Sequence, residues 1–437
     1  MGPSNKKPVK PEALFLAVKN PDVLFKAWIS VRDKGIKSKS AETRDEINAF
    51  STEAARRLRK IATQLKAGKF QFVPAKGILI KKKAKSSKRP VVVAPIESRI
   101  VQRAILDVLQ AVPAIKSILH EGYNFGGVEG TEFGVPAAVA KAVISSKKTD
   151  YFIRTDIKSF FVDIPRSIAL DRILKHSNDP LFDALLHSAA KTELRDVQNY
   201  EEEERALFPL WEDGVAQGSC LSPLLCNFLL SEFDRQMNAR DIVCIRYIDD
   251  FILFAKSESA ARAALAGAMK LLGALGLDAY DPFSGRVEDA EKAEHGRTDT
   301  NEITFLGCEL RRDRVRPSRA NQVRLRKKID DLFSASLKAA SNPSAAVKSE
   351  NNYADAIRIA SETVKGWGNT YSFCSDDNLM KNLDLELANI FDDFNKEMRA
   401  RIARMSPIDK RRALGFFALE DCNRDDREIS ARSLVKV

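Results

Sequence analysis

The residues from Ile242 to Ala255 carry the clearest pattern in the chain, because two adjacent carboxylates interrupt an apolar run. The run reaches Tyr247, Asp249 and Asp250 follow, and apolar residues resume at Phe251. Two buried strands joined by a tight turn produce such a pattern, so we expect a hairpin with both acids at its tip. Aspartate is also common in ordinary turns. The pair alone therefore admits two interpretations, a metal site and simple turn chemistry.

A second apolar strand pattern ends in an acid at residues 151–156, where YFIRTD places Asp156 at the strand end. Two divalent cations about 4 Å apart carry too much charge for two carboxylates that must also leave room for triphosphate oxygens. A two-metal site at the hairpin therefore needs a third acid beside it. Asp156 is the candidate for that third ligand.

Apolar residues at helical spacing predict helices in several other segments. The chain before residue 70 is mostly helical in pattern, after a Lys/Pro-rich start. The turn GVAQGSC leads into a helix at Ser222 and Pro223. The further predicted helices are residues 43–67, 96–112, 260–275 and one beginning near Ser318, and the further predicted strands are residues 77–80, 90–94 and 303–310.

Basic residues concentrate in two clusters. The first basic cluster, residues 76–89, has seven basic residues and no acid, and it lies between two predicted strands. It is either a flap that grips phosphates or a solvated run of charge. The second basic cluster, residues 311–328, has nine basic residues against one acid. In its helix we expect Val323, Leu325, Ile329, Leu332 and Phe333 to face inward and Arg319, Arg324, Arg326, Lys327 and Lys328 to face largely outward.

The net charge of +11 suits a polyanionic partner but does not choose between nucleic acid and a membrane surface. No apolar run has the length of a membrane span and the N-terminus lacks the core of a signal peptide, so we expect a cytoplasmic protein. The six cysteines form no CxxC pair, which predicts reduced, packed thiols. A chain of 437 residues is expected to form about two to four lobes.

Two further segments stand out by composition. The acidic segment, residues 193–213, includes EEEE and is predicted to be an exposed insertion that does not touch nucleic acid. The glycine segment, residues 121–134, matches no phosphate-loop motif. We expect its glycines to let the backbone approach a ligand or nucleic acid closely.

Taken in order, these motifs resemble those of bacterial reverse transcriptases over roughly residues 70–375. The matching segments are the basic hairpin with RPVVVAPIESRIVQRAI, the acid in DIKSFF, the turn AQGSCLSPLLCN, the YIDD hairpin, the FLG strand and the basic helix. IVQRAI, FLGCEL and GWGNTY are most similar to the group II intron lineage. No endonuclease, DNA-binding or RNase H segment is recognisable after the basic helix, which predicts a stand-alone, defence-associated enzyme of the unknown-group type.

The resemblance implies an α+β class and a right-hand polymerase fold, with fingers, a ferredoxin-like palm carrying the YIDD hairpin, and a helical thumb. The implied segments are an N-terminal helical extension at 1–70, fingers at 71–150, the catalytic palm at 151–315, and the helical thumb with the C-terminal region at 316–437.

The resemblance also implies roles for individual residues. Asp156, Asp249 and Asp250 would bind two Mg²⁺ ions, with Mn²⁺ as an alternative ion. The residues implied around the incoming nucleotide are Lys82 and Arg89 on the triphosphate, Gln217 packed by the nucleotide, Phe161 against a ribose 2′ hydroxyl, and Tyr247 at the primer end. Lys292 is the match for a lysine near the FLG strand. Arg319, Arg324 and Lys328 would contact the nucleic-acid backbone.

Each nucleotide-site assignment has an alternative. Lys81 or Lys83 could take the place of Lys82 in another register, Gln217 could simply cap its turn, and Tyr247 could be a packed sheet residue. The alternative for Phe161, or for Phe160, is that the ring fills the core.

The implied partners are a structured non-coding RNA template, dNTPs and the cDNA product. An RNA-dependent RNA polymerase is disfavoured, because it usually carries Gly-Asp-Asp and a polar residue at the sugar gate. A non-catalytic RNA-binding protein has no need to keep three acids with Lys82 and Arg89. An intron maturase, the third alternative, predicts splicing of a host intron.

Overall fold

A computed structural model describes residues 13–38, 40–81, 88–239, 241–348 and 351–421. The chain forms two compact units, Met1–Asn301 and Glu302–Val437. No helix among the described residues combines the length and apolar character needed to cross a lipid bilayer. The four segments predicted from sequence, with boundaries at 71, 151 and 316, remain a prediction.

The first unit contains the following elements. Its strands are β1 Lys76–Lys81, β2 Lys88–Val93, β3 Tyr151–Asp156, β4 Val243–Tyr247, β5 Asp250–Ala255 and β6 Glu294–Arg297. Its helices are α1 Ala13–Val18, α2 Pro21–Gly35, α3 Ala41–Thr52, α4 Ala54–Lys66, α5 Ile96–Ala111, α6 Pro113–Leu119, α7 Val135–Lys148, α8 Phe160–Asp163, α9 Arg166–Leu174, α10 Pro180–Ala190, α11 Glu202–Arg205, α12 Ser222–Met237, α13 Glu258–Gly273 and α14 Val287–Lys292, with a 3-10 turn at Val197–Asn199.

The N-terminal helices pack on α5 through a shared apolar core. Leu24, Trp28 and Phe50 are all buried there, and α2 lies directly against α5. The single helix expected from Thr43 to Ala67 is wrong, because the chain forms α3 and α4 with a break at Glu53. The backbone leaves helical geometry at Glu53, where φ is −121° and ψ is 15°.

Four antiparallel strands form the central sheet in the order β4-β5-β3-β6. Along the chain these strands and the two long helices α12 and α13 follow one another as β-α-β-β-α-β. Helix α13 packs on β3 and β5, while α12 packs on α13 and β4. This connectivity and strand order are those of a ferredoxin-like sheet, so the predicted palm architecture is confirmed.

The β1–β2 hairpin has the predicted antiparallel pairing, with Ile78 opposite Val91. Most residues of the acidic segment are exposed, as predicted, including Glu201, Glu202 and Glu203, but two of its aromatic side chains pack against this hairpin. Phe208 is buried beside Ala75 and Val92 in one apolar cluster, and Tyr200 donates to the carbonyl of Gly77 at 2.7 Å. Burial of these aromatic rings outweighs the polar character of their neighbours.

The second unit combines a small sheet with five helices among its described residues. The strands are β7 Ile303–Phe305, β8 Cys308–Leu310 and β9 Val315–Pro317, and the helices are α15 Arg319–Ala339, α16 Pro343–Lys348, α17 Tyr353–Thr370, α18 Asp377–Ile402 and α19 Pro407–Leu414. A 3-10 turn at Leu419–Asp421 follows. The three strands are antiparallel in the order β7-β8-β9.

Helix α15 packs against α17 and α18 through Leu325, Ile329 and Phe333, as the sequence predicts. Two orientations differ from the prediction. Val323, expected inward, is 49% exposed, while the neighbouring Gln322 is buried and donates to the Pro317 carbonyl. Arg326, expected outward, forms an ion pair with Glu386 of α18, because that helix covers its side of α15.

Candidate active site

The β4–β5 hairpin closes on a turn of two residues, because Tyr247 pairs with Asp250 across it. Ile248 and Asp249 form the turn, and Ile248 has a φ of 62°. The expectation that both acids lie at the tip is therefore half right. Asp249 is in the turn, whereas Asp250 is the first residue of β5.

Strand β3 brings the third acid to the same place. Asp156, the last residue of β3, lies directly opposite Asp250 in the antiparallel register. Residues in such a pair share one face of a sheet, with Cβ atoms about 4.5–5.5 Å apart. The amide of Ile157 also donates to the carbonyl of Asp249 at 3.0 Å. The fold thus assembles the three predicted acids at one end of the central sheet.

Burial and mutual repulsion raise the pKa of the hairpin acids. The pKa of Asp249 rises to about 6, chiefly by burial and secondly by the charge of Asp156. The pKa of Asp250 rises to about 8, again chiefly by burial. Arg154 opposes that rise, while Asp156 and Asp249 add to it. A cation bound beside these carboxylates would therefore stabilise their ionised form.

The donor chemistry of the three acids fits a hard divalent cation. The Oδ1 atom of Asp250 is buried and has no hydrogen-bond partner among the described residues, and it lies 3.9 Å from Arg154 Nη1. Within the described ranges, however, no group of three or more His, Cys, Asp or Glu side chains is arranged as a ligand set. Carboxylate oxygens are the ligands that Mg²⁺ and Mn²⁺ prefer, so Asp156, Asp249 and Asp250 are the residues that could hold such ions.

Cationic side chains border the acids. Lys292, at the end of α14, has its Nζ atom 3.7 Å from Asp156 Oδ2. Arg89 on β2 is exposed, and its charge lowers the pKa of Asp249. Lys82 lies outside the described residues.

The two phenylalanines after β3 have different environments. Phe160 is buried at 2% exposure in the main core, whereas Phe161 is only partly buried. Phe160 thus fills the core, while Phe161 packs against the same core and stays partly exposed. The carbonyl of Phe161 accepts from the amide of Val215, which ties α8 to the loop before α12.

The loop before α12 also lies against β2. The carbonyl of Gln217 accepts from the amide of Val92 at 2.7 Å. Gly218 has a φ of 121°, and a Cβ atom there would overlap the Val92 carbonyl oxygen. The close approach therefore requires glycine, and it fixes Gln217 beside the hairpin that carries Arg89. Tyr247 is partly buried, and burial raises its pKa.

The predicted nucleic-acid contacts lie on α15 of the second unit. Arg319, Arg324 and Lys328 are all exposed. Arg324 donates to Asn321 Oδ1 at 2.7 Å, and Lys328 donates to Thr363 Oγ1 at 2.9 Å.

The sequence interpretation missed the polar residues that surround the turn. Arg246, in the middle of an apolar strand, is fully buried, and Asn124 lies beside it. The sequence did carry one signal of this network, because Arg246 is the single charged residue in the apolar run IVCIRY. The glycine segment, expected to approach a ligand or nucleic acid, packs against this turn, since a Cβ at Gly126 would lie 2.9 Å from the Ile248 amide nitrogen.

Comparisons with known proteins identify the family of this chain. Residues 80–310 match the family model described as reverse transcriptase (RNA-dependent DNA polymerase). The match spans more than half of the 437 residues. The chain belongs to the reverse transcriptase family.

Two curated relatives illustrate the range of the family. The chain is 27% identical over 211 residues to Protein YkfC of Escherichia coli (strain K12), which covers 47% of this chain and 52% of that protein. It is 23% identical over 230 residues to the group II intron-encoded protein LtrA of Lactococcus lactis subsp. cremoris, covering 51% of this chain and 34% of that protein. The chain thus spans about half, or less, of the length of these relatives.

The solved structures that match this chain are more distant in sequence. A partial Cas6-RT-Cas1--Cas2 complex is 22% identical with a TM-score of 0.33, covering 60% of this chain and 41% of that one. A telomerase from Candida albicans with a fragment of telomeric RNA is 11% identical with a TM-score of 0.41, covering 78% of this chain and 64% of that one.

Proposed function

We propose that this protein is an RNA-directed DNA polymerase, a nucleotidyltransferase that extends a primer on an RNA template. The observation that carries the proposal is the register that places Asp156 opposite Asp250, with Asp249 in the adjoining turn. A family member without catalysis has no reason to carry three adjacent acids at a site where burial and like charge raise the pKa of two of them.

Asp156, Asp249 and Asp250 are the residues that would hold two Mg²⁺ ions, with Mn²⁺ as an alternative. Bound there, the ions would supply Lewis-acid activation of the primer hydroxyl and neutralise charge on the triphosphate. The chain's own contribution is to keep the carboxylates close and poorly solvated. Because the pKa of Asp250 is raised to about 8, a cation that binds this carboxylate at neutral pH must compete with a proton.

Other side chains select and orient the nucleotide in this proposal. Arg89 and Lys82 bind triphosphate oxygens, since a guanidinium can donate two parallel hydrogen bonds to them. The exposed part of Phe161 closes the space that a ribose 2′ hydroxyl needs. Gln217 lies beside the base, and Tyr247 supports the primer end. Arg319, Arg324 and Lys328 bind the nucleic-acid backbone.

The finer proposal concerns the template and the biological role. The two basic clusters support an RNA partner, and we infer that a structured non-coding RNA binds them and serves as the template. The role is antiphage defence in the cytoplasm, which extends the resemblance of the motifs to stand-alone defence-associated enzymes. Phage challenge of cells with and without the gene tests this role directly.

Two experiments test the proposal. Primer extension with matched RNA and DNA templates, using dNTPs or rNTPs, should give Mg²⁺-dependent DNA products on RNA. Crosslinking in the native host, followed by sequencing of bound RNA and DNA, should recover one abundant RNA with matching cDNA. A mixed transcript population without cDNA would favour a general RNA-binding role, and recovery of an intron with its splicing would favour a maturase.

A further inference from the structure

The turn that carries Asp249 is held in an unfavourable backbone conformation. Ile248 has a φ of 62°, in the left-handed region. Residues branched at Cβ rarely adopt this region, because the side chain crowds the backbone. Contacts from outside the turn must therefore stabilise it.

Both backbone polar groups of Ile248 are held by side chains. Its amide donates to Asn124 Oδ1 at 3.3 Å, and its carbonyl accepts from Arg246 Nη1 at 2.8 Å. Asn124 is buried and donates in turn to the carbonyl of Gly126 at 3.0 Å. The two side chains thus fix the peptide groups on either side of Ile248.

The guanidinium of Arg246 is itself fixed by a buried network. Its Nε and Nη2 atoms donate to the two carboxylate oxygens of Asp234 at 2.7 and 2.5 Å. Its Nη1 also donates to Asn227 Oδ1 at 3.2 Å. Asp234 and Asn227 both belong to α12, so this helix anchors the arginine. The planar fork makes all these contacts together, which the ammonium group of lysine cannot do.

The Ile248 peptide is coupled directly to the acids. Asp249 follows it in the chain, and the Asp249 carbonyl accepts from the amide next to Asp156 at 3.0 Å. A rotation of the Ile248 peptide would move Asp249 relative to Asp156 and Asp250.

We propose that Arg246 and Asn124 are positioning residues that hold Ile248 in its left-handed conformation and so set the three carboxylates for divalent cations. Neither side chain is assigned a contact with substrate. This inference rests on the proposed polymerase function.

The test measures Mn²⁺ binding by electron paramagnetic resonance, alongside primer extension, in Asn124→Ala and Arg246→Lys. Loss of a hydrogen bond that orients a metal ligand typically lowers metal affinity by roughly 10–100-fold. Here Arg246 and Asn124 orient Asp249 through the Ile248 backbone. We therefore expect Mn²⁺ to bind about tenfold or more weakly in both variants. The kcat should fall while the KM for template changes little.

Arg172→Lys is the matched control. Its guanidinium also bonds to α12, at the Leu229 carbonyl, and none of its hydrogen bonds among the described residues reaches the turn. It should bind Mn²⁺ as the wild type does. If Arg246→Lys fails to fold, Asn124→Ala still tests the inference. The Asn124→Ala substitution leaves the buried pair of Arg246 and Asp234 intact.

A double-mutant cycle with Ile248→Gly tests the role of the backbone conformation, since glycine adopts a positive φ readily. The effect of Asn124→Ala on Mn²⁺ binding should shrink in the Ile248→Gly background. An undiminished effect there, or folded variants with wild-type Mn²⁺ binding and kcat, would overturn the inference. A wild type that binds Mn²⁺ but makes no DNA on RNA would instead contradict the proposed function.

Discussion

At the scale of single residues, two carboxylates of the site are costly in free energy to keep ionised. Asp249 and Asp250 are partly buried beside Asp156, and the pKa values of the first two rise to about 6 and about 8. The Asp250 side chain is 24% exposed, yet its Oδ1 atom is buried. The carboxylate of Asp250 is therefore poorly hydrated. An ionised carboxylate there destabilises the metal-free protein, and a bound cation would offset that cost.

This arrangement predicts a specific pH dependence of stability. An acid whose pKa is raised by folding binds more protons when folded, so its contribution to stability falls as pH rises from the unfolded to the folded pKa. For Asp250 this window runs from 3.8 to about 8. In metal-free buffer, the free energy of unfolding of the wild type relative to Asp250→Asn should therefore be lower at about pH 8 than at about pH 5. Urea unfolding at each pH measures this difference in the free energy of unfolding. If the wild type and Asp250→Asn gave parallel pH profiles, the prediction would be contradicted.

The exposure of Phe161 predicts a role in sugar selection. In Phe161→Ala the ratio of kcat/KM for ribonucleotides to that for deoxynucleotides should rise about tenfold or more, because the change opens space beside the sugar. Phe160→Leu is the control, and it should lower the Tm without changing the ratio, since Phe160 is buried. Equal loss of both substrates in Phe161→Ala, together with a lower Tm, would assign Phe161 to the core.

At the scale of elements, the β1–β2 hairpin is anchored by contacts along its length. Phe208 and Tyr200 of the acidic segment pack with it, and Lys88 forms an ion pair with Glu204. On the other side the Gln217 carbonyl binds β2. The hairpin and the loop before α12 therefore present Arg89 and Gln217 from one connected surface.

The contact between that loop and β2 predicts the effect of a single methyl group. Gly218→Ala should raise the KM for dNTP about tenfold or more, because the added Cβ overlaps the Val92 carbonyl and strains a φ of 121°. Gly267→Ala in α13 is the control, since a Cβ there meets nothing within 4 Å. Alanine at that helical position should stabilise the protein by about 0.5–1 kcal/mol. Unchanged dNTP kinetics in Gly218→Ala would contradict the assignment.

Elements with a complete local pattern were predictable from sequence, and those set by distant contacts were not. The apolar runs of β3, β4 and β5 predict strands, and the acids near their ends mark the candidate site. The packing of the acidic segment was not predictable, because the burial of Phe208 depends on a hairpin more than a hundred residues earlier. The orientation of Arg326 depends likewise on α18. The support of the turn by Arg246 and Asn124 depends on a left-handed residue that no local motif reveals.

At the scale of the whole molecule, the net charge of +11 is not spread evenly. The first unit carries the acids of the candidate site, and α15 of the second unit exposes Arg319, Arg324 and Lys328. Phosphate contacts bind nucleic acid without reading its sequence. Recognition of one particular RNA, as proposed above, would then have to come from its loops and shape.

Neutralising the exposed face of α15 should therefore weaken binding of all RNAs alike. In the variant Arg319→Ala, Arg324→Ala and Lys328→Ala, the slope of log affinity against log salt should fall by roughly 0.7–0.9 for each phosphate that the protein no longer neutralises. The control neutralises Arg56, Arg59 and Lys60, which are equally exposed on α4. An unchanged slope in the α15 variant, or an equal fall in both, would remove the assignment.

We propose above that three acids at one end of the palm sheet hold the metal ions for DNA synthesis on RNA. The most direct measurement is primer extension on an RNA template by the wild type and by Asp249→Asn, with the Tm and RNA affinity of each determined in parallel. The account predicts Mg²⁺-dependent extension by the wild type and background extension by the variant, because a neutral amide cannot balance the charge of two adjacent dications. A folded Asp249→Asn protein that binds RNA and extends the primer at the wild-type rate would contradict it.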